Sequence, residues 1–383
     1  MKKFLAFILF IKTNAFYVWL LPALSYLQGM FFISGGLYAY KYKKNVNQYD
    51  IIFSLLLSFL FLWYNIRIGK SIFVVIVAAL LPIFLITPIF KKRSIVLYFV
   101  KTFYPLCLLV SICSYLLFIL GIFSLPSLFV PSPNEAKYYD YIAYIFFVIP
   151  TNIEDIGRFC SFYDEPGLLG TLCSTIIFFY YRSLNKYQFL VYFIAGMLSL
   201  SLFFVLMFVY SMIVYEGFKL FVKFKYILIS LLAILLVYNL WGEEYIDQKL
   251  LSRFNTEKGI ISDNRNSEDF EDYFYNNFIY TNDLWFGVGV KGDRSKGSSS
   301  IQNTIYKNGL LFVLFGLFIY ALIFLRYKST NKLFILSFLF WLGLTYQRPN
   351  FCSIFFLIII YTSLESNFYL YKKNEKSTLY SIQ

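Results

Sequence analysis

Histidine is absent from the 383 residues, and with it go the commonest general base, the commonest transition-metal ligand and every triad of the Ser-His type. Acid-base chemistry in this chain has only Asp, Glu, Arg, Lys or Tyr to draw on. Charge is scarce as well, at 14% of residues, and of uneven sign: 34 Lys and Arg stand against 21 Asp and Glu, a net +13. The five cysteines make no pattern. Cys107, Cys113, Cys173 and Cys352 lie in apolar runs and only Cys160 in a polar one, which excludes a disulfide framework and a zinc site from the expectations. A P-loop and a nucleophile elbow are also missing. Gly287-Val288-Gly289 follows no predicted strand and opens no helix of a βαβ unit, so it is no dinucleotide fingerprint. Neither metal nor cofactor is expected.

What is abundant is apolar: 59% of the residues are hydrophobic and 23% aromatic. They fall in runs of roughly 17 to 25, the length a helix needs to cross a bilayer. Such segments occur at about 4–22, 24–40, 50–66, 72–90, 96–120, 167–181, 187–199, 201–217, 226–242, 304–325, 333–347 and 351–369. The expected fold is therefore an all-α polytopic membrane protein with about 12 transmembrane helices, a single membrane domain over 1–383. MKKFLAFILFIK at the N-terminus lacks a small-residue cleavage site and reads as a first anchor.

Basic residues cluster between the apolar runs at Lys41–Lys44, Lys91–Arg93, Lys219–Lys225, Arg326–Lys332 and Lys372–Lys376. By the positive-inside rule all five face the cytoplasm, so the excess of positive charge reports topology and no nucleic-acid partner is expected. Two long polar segments then face outside, 121–166 and 242–303. Within the first, Tyr141–Pro150 is too short to span and is expected to be an interfacial or re-entrant helix. Within the second, acids outnumber bases, Glu268–Tyr280 is amphipathic at helical spacing, and Gly287, Gly289, Gly292 and Gly297 mark a flexible, turn-rich stretch.

Chemistry-bearing residues concentrate in these segments. Gly157 to Gly170 places Arg158 and the Asp164-Glu165 pair directly before an apolar run, where charge is costly enough to suggest function. Pro166 suits a first helical turn, so Glu165 is either a capping carboxylate or a catalytic one. Arg158 beside the two acids would retune their protonation. Arg348, in Tyr346-Gln347-Arg348-Pro349-Asn350, sits in a turn dictated by the proline. It is either an arginine snorkelling at a hairpin tip or part of a polar site with Tyr346 and Gln347. Arg265, among loop acids, is a surface ion pair or a ligand clamp. Three outward arginines, Arg158, Arg265 and Arg348, could together hold a phosphate or pyrophosphate, which a planar guanidinium suits best.

An arginine followed by a Glu-Pro-Gly turn into a span, then a long external loop with Arg265, Phe286-Gly-Val-Gly-Val, Gln302-Asn303 and a closing Lys307-Asn308-Gly309, resembles the O-antigen polymerase (Wzy-type) and O-antigen ligase superfamily. The resemblance covers most of the chain in layout. It implies a GT-C-like membrane glycosyltransferase of the bacterial cytoplasmic membrane, with its site facing outside. Such an enzyme joins oligosaccharide repeat units carried on undecaprenyl pyrophosphate, as in O-antigen or capsule, without a metal. Membrane lipid, a chain-length regulator and a flippase are the implied partners. The residues it implicates are Arg158, Glu165, Arg265, Gly287, Gly289 and Asn303. Gln302 stands where ligase-type members tend to carry a histidine, which favours a polymerase over a ligase. A polysaccharide flippase or transporter has a similar number of spans but does not need an external loop of this length.

Overall fold

The structure, a computed structural model, describes residues 48–82, 93–122, 126–131, 140–150, 159–163, 165–217, 268–289, 300–326, 331–349, 351–353 and 356–364. The N-terminal anchor and the expected spans 4–22, 24–40 and 226–242 lie outside them. The described chain is mostly helical. It begins with α1 (Gln48–Arg67) and α2 (Ile72–Leu81), then α3 (Arg93–Tyr98), which runs through a π-turn (Phe99–Phe103) into α4 (Tyr104–Ile119). Three strands follow, β1 (Ser127–Val130), β2 (Tyr141–Tyr144) and β3 (Val148–Pro150). Next come α5 (Pro166–Tyr180), α6 (Lys186–Leu198) and α7 (Leu202–Glu216). After α8 (Glu268–Asn276) and the one-turn α9 (Asp283–Phe286), the chain forms α10 (Ile301–Asn308), α11 (Leu310–Arg326) and α12 (Asn331–Gln347). Residues 356–364 are helical again.

Two described helices are long and apolar enough to cross a membrane: Gln48–Arg67 with 20 residues and Ile95–Ile119 with 25. A third span results if α10 and α11, bent by 114°, count as one. The count of about twelve is thus not reached among the described residues, and for the expected spans that lie within them helix length is a reason. The segments expected at 167–181, 187–199 and 201–217 do form α5, α6 and α7, but with only 15, 13 and 15 residues. At 1.5 Å per residue they reach about 20 to 23 Å, short of the ~30 Å hydrocarbon core. Polar caps stop them. Asn185 and Gln188 close a capping box at the start of α6, and the Ser201 hydroxyl accepts the Phe204 N–H at the start of α7, each satisfying an orphan amide of a first turn. In the long helix the π-turn has an equally local cause. Pro105, just beyond it, has no N–H to offer and its ring crowds the preceding turn.

By its contacts the chain divides into two compact units, Met1–Cys107 with Arg265–Gln383, and Leu108–Asn264. In the second, α5 packs on α6 and α7 through small and hydroxyl side chains. A Cβ at Gly170 would stand 2.6 Å from Cβ of Ser201, so the backbones come close only because residue 170 is glycine, the familiar device of helix pairs in apolar surroundings. The buried hydroxyls of this seam do not stay open: Thr171 donates to Gly167 O, Thr175 to Thr171 O and Ser199 to Gly196 O.

Tyr141–Pro150 is not the interfacial helix expected from its sequence. It forms β2 and β3, the centre and one edge of an antiparallel sheet in the order β1-β2-β3. The physical reason is visible in its burial: Tyr141 and Ala143 turn inward while Ile142 and Tyr144 lie at the margin, a period of two that a helix cannot satisfy. Tyr144 N–H donates to Phe147 O at 2.8 Å and closes the tight turn. Phe147 packs on Tyr115 and Phe118 of α4, with centroids 5.6 Å away in both cases.

In the first unit α1 packs against α2 and α11. The Arg326 guanidinium at the end of α11 lies 4.2 Å from the ring centroid of Tyr49 at the start of α1, and Tyr361 donates to the buried Asp50 carboxylate at 3.0 Å. The two helices therefore run antiparallel. The end of α11 is at the same end as the start of α1, and Arg67 lies at the other, about 30 Å away by helix length. Tyr320 of α11 stacks on Trp341 of α12 with centroids 4.5 Å apart and donates to Phe351 O at 3.0 Å, fixing the turn that follows α12.

Strand register gives a direct check. Phe129 and Ile142 face each other across β1 and β2, so the pair Phe129→Cys and Ile142→Cys, in a background without other cysteines, will oxidise readily to a disulfide. A helix over 141–150 would leave both thiols titratable.

Candidate functional site

At the Arg67 end of the first unit the backbone is pinned by two glycines. Helix α10 stops at Asn308 because Gly309 has φ +93°, a conformation side chains resist, and α11 leaves at the 114° bend. A Cβ on Gly309 would stand 2.6 Å from Phe286 Cα, and one on Gly287 (φ +76°) would stand 2.6 Å from Gly309 N. The two backbones cross with no room for a side chain on either. Val288 N–H donates to Tyr306 O at 2.8 Å, and the Arg67 guanidinium donates to Gly287 O. Trp63, one turn earlier in α1, donates to Asn308 O at 3.2 Å.

The crossing orients α10. Ser300 caps it by accepting Asn303 N–H at 3.2 Å. One face carries Tyr306, which packs into an aromatic cluster with Phe270, Phe274 and Phe278. The amphipathic reading of Glu268–Tyr280 holds here, since 270, 274 and 278 recur at helical spacing and form the buried stripe. The other face of α10 carries Asn303, Thr304, Lys307 and Asn308, related by the i, i+4 rule, and lines a cavity of about 460 Å³. Tyr64, Ile68, Phe312 and the Arg348–Pro349 and Phe351–Ser353 turns complete the wall.

Among its described lining residues the charges of this cavity are of one sign. Lys307 and Arg348 line it, and none of its described lining residues is an acid. Arg348 is presented from the end of α12, its N–H still donating to Leu344 O at 2.8 Å before Pro349 ends the helix. Asn308 is 3% exposed. Its Nδ2 donates to Thr304 O at 3.3 Å, which fixes the amide's orientation, and its Oδ1 is buried and accepts no hydrogen bond. Two cations, carboxamides and hydroxyls on an apolar floor make a receptor for a small anion that also carries hydrogen-bonding groups. Among the described residues no three His, Cys, Asp or Glu side chains gather as metal ligands.

Of the residues singled out in the sequence, the structure brings together Asn303 and Arg348. Tyr346, 62% exposed, and Gln347 are near Arg348 in the chain but do not line the cavity. Gly287 and Gly289 do not line it either. Both are buried, Gly287 in the crossing and Gly289 with its would-be Cβ 3.2 Å from Arg67 O, so this part of the loop is packed where a flexible stretch was expected. In the second unit Glu165 does occupy the N-cap of α5, with Pro166 in the first turn, yet its side chain makes no capping hydrogen bond. Arg158, Asp164 and Arg265 lie outside the described residues, as do Gly292 and Gly297, so of the three arginines only Arg348 has a described position.

Sequence reasoning passed over Tyr64, Arg67, Lys307 and Asn308. Lys307 and Asn308 were legible as the closing Lys-Asn-Gly before a span, but not as lining. Arg67 had one signal, a lone charge at the end of an apolar run just before Gly69. Comparison of the chain with protein-family models, with curated proteins and with solved structures gives no match.

Substituting alanine for Gly309 will lower stability by about 2 kcal/mol or more, since it adds overlap to an unfavourable φ. Gly121→Ala, also at positive φ (+65°) but with nothing within 4 Å of its Cβ, will cost less. Thermal unfolding of the detergent-solubilised variants measures the difference, and equal losses would remove the crossing from the account.

Proposed function

We propose that the chain polymerises oligosaccharide repeat units linked to undecaprenyl pyrophosphate into O-antigen or capsule-type polysaccharide, at the outer face of the bacterial cytoplasmic membrane. The observation that supports this most is the cavity of about 460 Å³ with Lys307 and Arg348 in its wall and no acid among its described lining. A lipid-borne diphosphate is the ligand class that matches both the charge and the apolar surroundings. The sequence resemblance points to the same chemistry.

In the reaction a sugar hydroxyl of one lipid-linked unit attacks the anomeric carbon of the growing chain. A new glycosidic C–O bond forms, the bond from that carbon to the pyrophosphate oxygen breaks, and undecaprenyl pyrophosphate leaves with the electron pair. Negative charge grows on the leaving group, and Arg348 and Lys307 offset it, a contribution of a few kcal/mol per donor in a site shielded from water. Arg158 and Arg265 are assigned the same role. Glu165 or Asp164 accepts the proton of the attacking hydroxyl. Asn303 hydrogen-bonds the sugar.

Reconstitution with one defined lipid-linked repeat unit and no other acceptor tests the reading. A ladder of products is expected. Arg348→Ala and Lys307→Ala will each cut its formation by about a hundredfold, and Glu165→Gln by a similar or larger factor, with insertion into the membrane unchanged. Transfer that requires a separate lipid acceptor would make the chain a ligase-type enzyme, and translocation of the unit without any new bond would make it a flippase.

A further inference from the structure

The unmet acceptor on Asn308 says more about what the cavity takes. A buried carboxamide oxygen without a donor costs on the order of 1 to 3 kcal/mol, and native folds leave few such groups. Asn308 cannot escape the cost by rotating its amide, because Nδ2 is already engaged with Thr304 O and the flipped form would set oxygen against oxygen. Nor can α10 move away, since the Asn308 carbonyl is held by Trp63 and the next residue lies in the glycine crossing. The same residue lines the cavity that Lys307 and Arg348 make positive.

We infer that this cavity binds a glycosyl phosphate as one unit, with the phosphate at Lys307 and Arg348 and a hydroxyl or acetamido N–H of the attached sugar donating to Asn308 Oδ1. Asn308 is then the residue that separates a sugar phosphate from an anion of equal charge lacking donors. The inference rests on the anionic-ligand reading of the cavity given above and specifies what the anion carries. Tyr64 and Phe312, also in the wall, offer apolar faces on which a sugar ring packs.

The test compares two phosphate monoesters of the same charge, glucose 1-phosphate and ethyl phosphate, by calorimetry on the full chain in phosphatidylcholine nanodiscs. Glucose 1-phosphate is expected to bind about tenfold more tightly, the scale of one buried hydrogen bond. Asn308→Ala is expected to hold ethyl phosphate as before and to bring glucose 1-phosphate down to the same affinity. Lys307→Ala and Arg348→Ala should weaken both probes alike. Retained ethyl phosphate binding reports that Asn308→Ala is folded, and should it bind neither probe, Asn308→Ser is judged by the same criterion. Equal binding of the two probes by the unaltered protein overturns the inference, and so does a preference that survives at Asn308→Ala. A preference abolished by phosphatidylglycerol in the nanodisc also overturns it, because the cavity would then be a phospholipid headgroup site. None of these measurements involves turnover, so they can fail while the product ladder is made, and the ladder can be absent while they succeed.

Discussion

Two glycines that cross backbone to backbone, Gly287 just after α9 and Gly309 at the bend between α10 and α11, set the shape of the cation-lined end of the first unit. The would-be Cβ of Gly287 is 2.6 Å from Gly309 N, a separation no side chain permits. Because the crossing leaves α10 one orientation, its aromatic face is committed to Phe270, Phe274 and Phe278 and its polar face to the cavity. Arg67 and Trp63 of α1 tie the same junction to the longest-range element of the unit. The irregular backbone of this junction is buried by protein at Gly287 and Gly309 and stands beside the cavity lined by Asn308.

The electrostatics follow from that placement. Lys307 comes from the last turn of α10 and Arg348 from the end of α12, two helices that pack directly on each other. Two cations stand in this wall, and none of its described lining residues is an acid, a combination that would favour an anion. Beside them the buried Oδ1 of Asn308 has no hydrogen-bond donor among the described residues.

How much of this was legible before the fold was seen depended on range. The start of α5 was readable because Pro166 is a local signal, and the break at Arg348-Pro349 was readable for the same reason, whereas the caps at Asn185 and Ser201 went unread. The hairpin at Tyr141–Pro150 was not, since ten apolar and aromatic residues fit a short helix as well as two strands by composition, and only the pairing with Ser127–Val130 decides. Gly287 and Gly289 looked like a flexible turn because their partners, Gly309 and Arg67, are remote in sequence. Arg348 was picked for its chemistry and Asn303 through the family resemblance, but their meeting in one wall could not be derived from spacing. Lys307 and Asn308, which complete that wall, carried no signal beyond standing before a glycine.

The central claim is that the cavity bounded by α10 and the turn at Arg348 holds the phosphates of a lipid-linked sugar. It is tested most directly by determining the structure of the protein in a nanodisc with a lipid-linked repeat unit bound. The account predicts diphosphate density between Lys307 and Arg348 with the first sugar against Asn308. Diphosphate bound elsewhere, with this cavity filled by acyl chains or left to solvent, would contradict it.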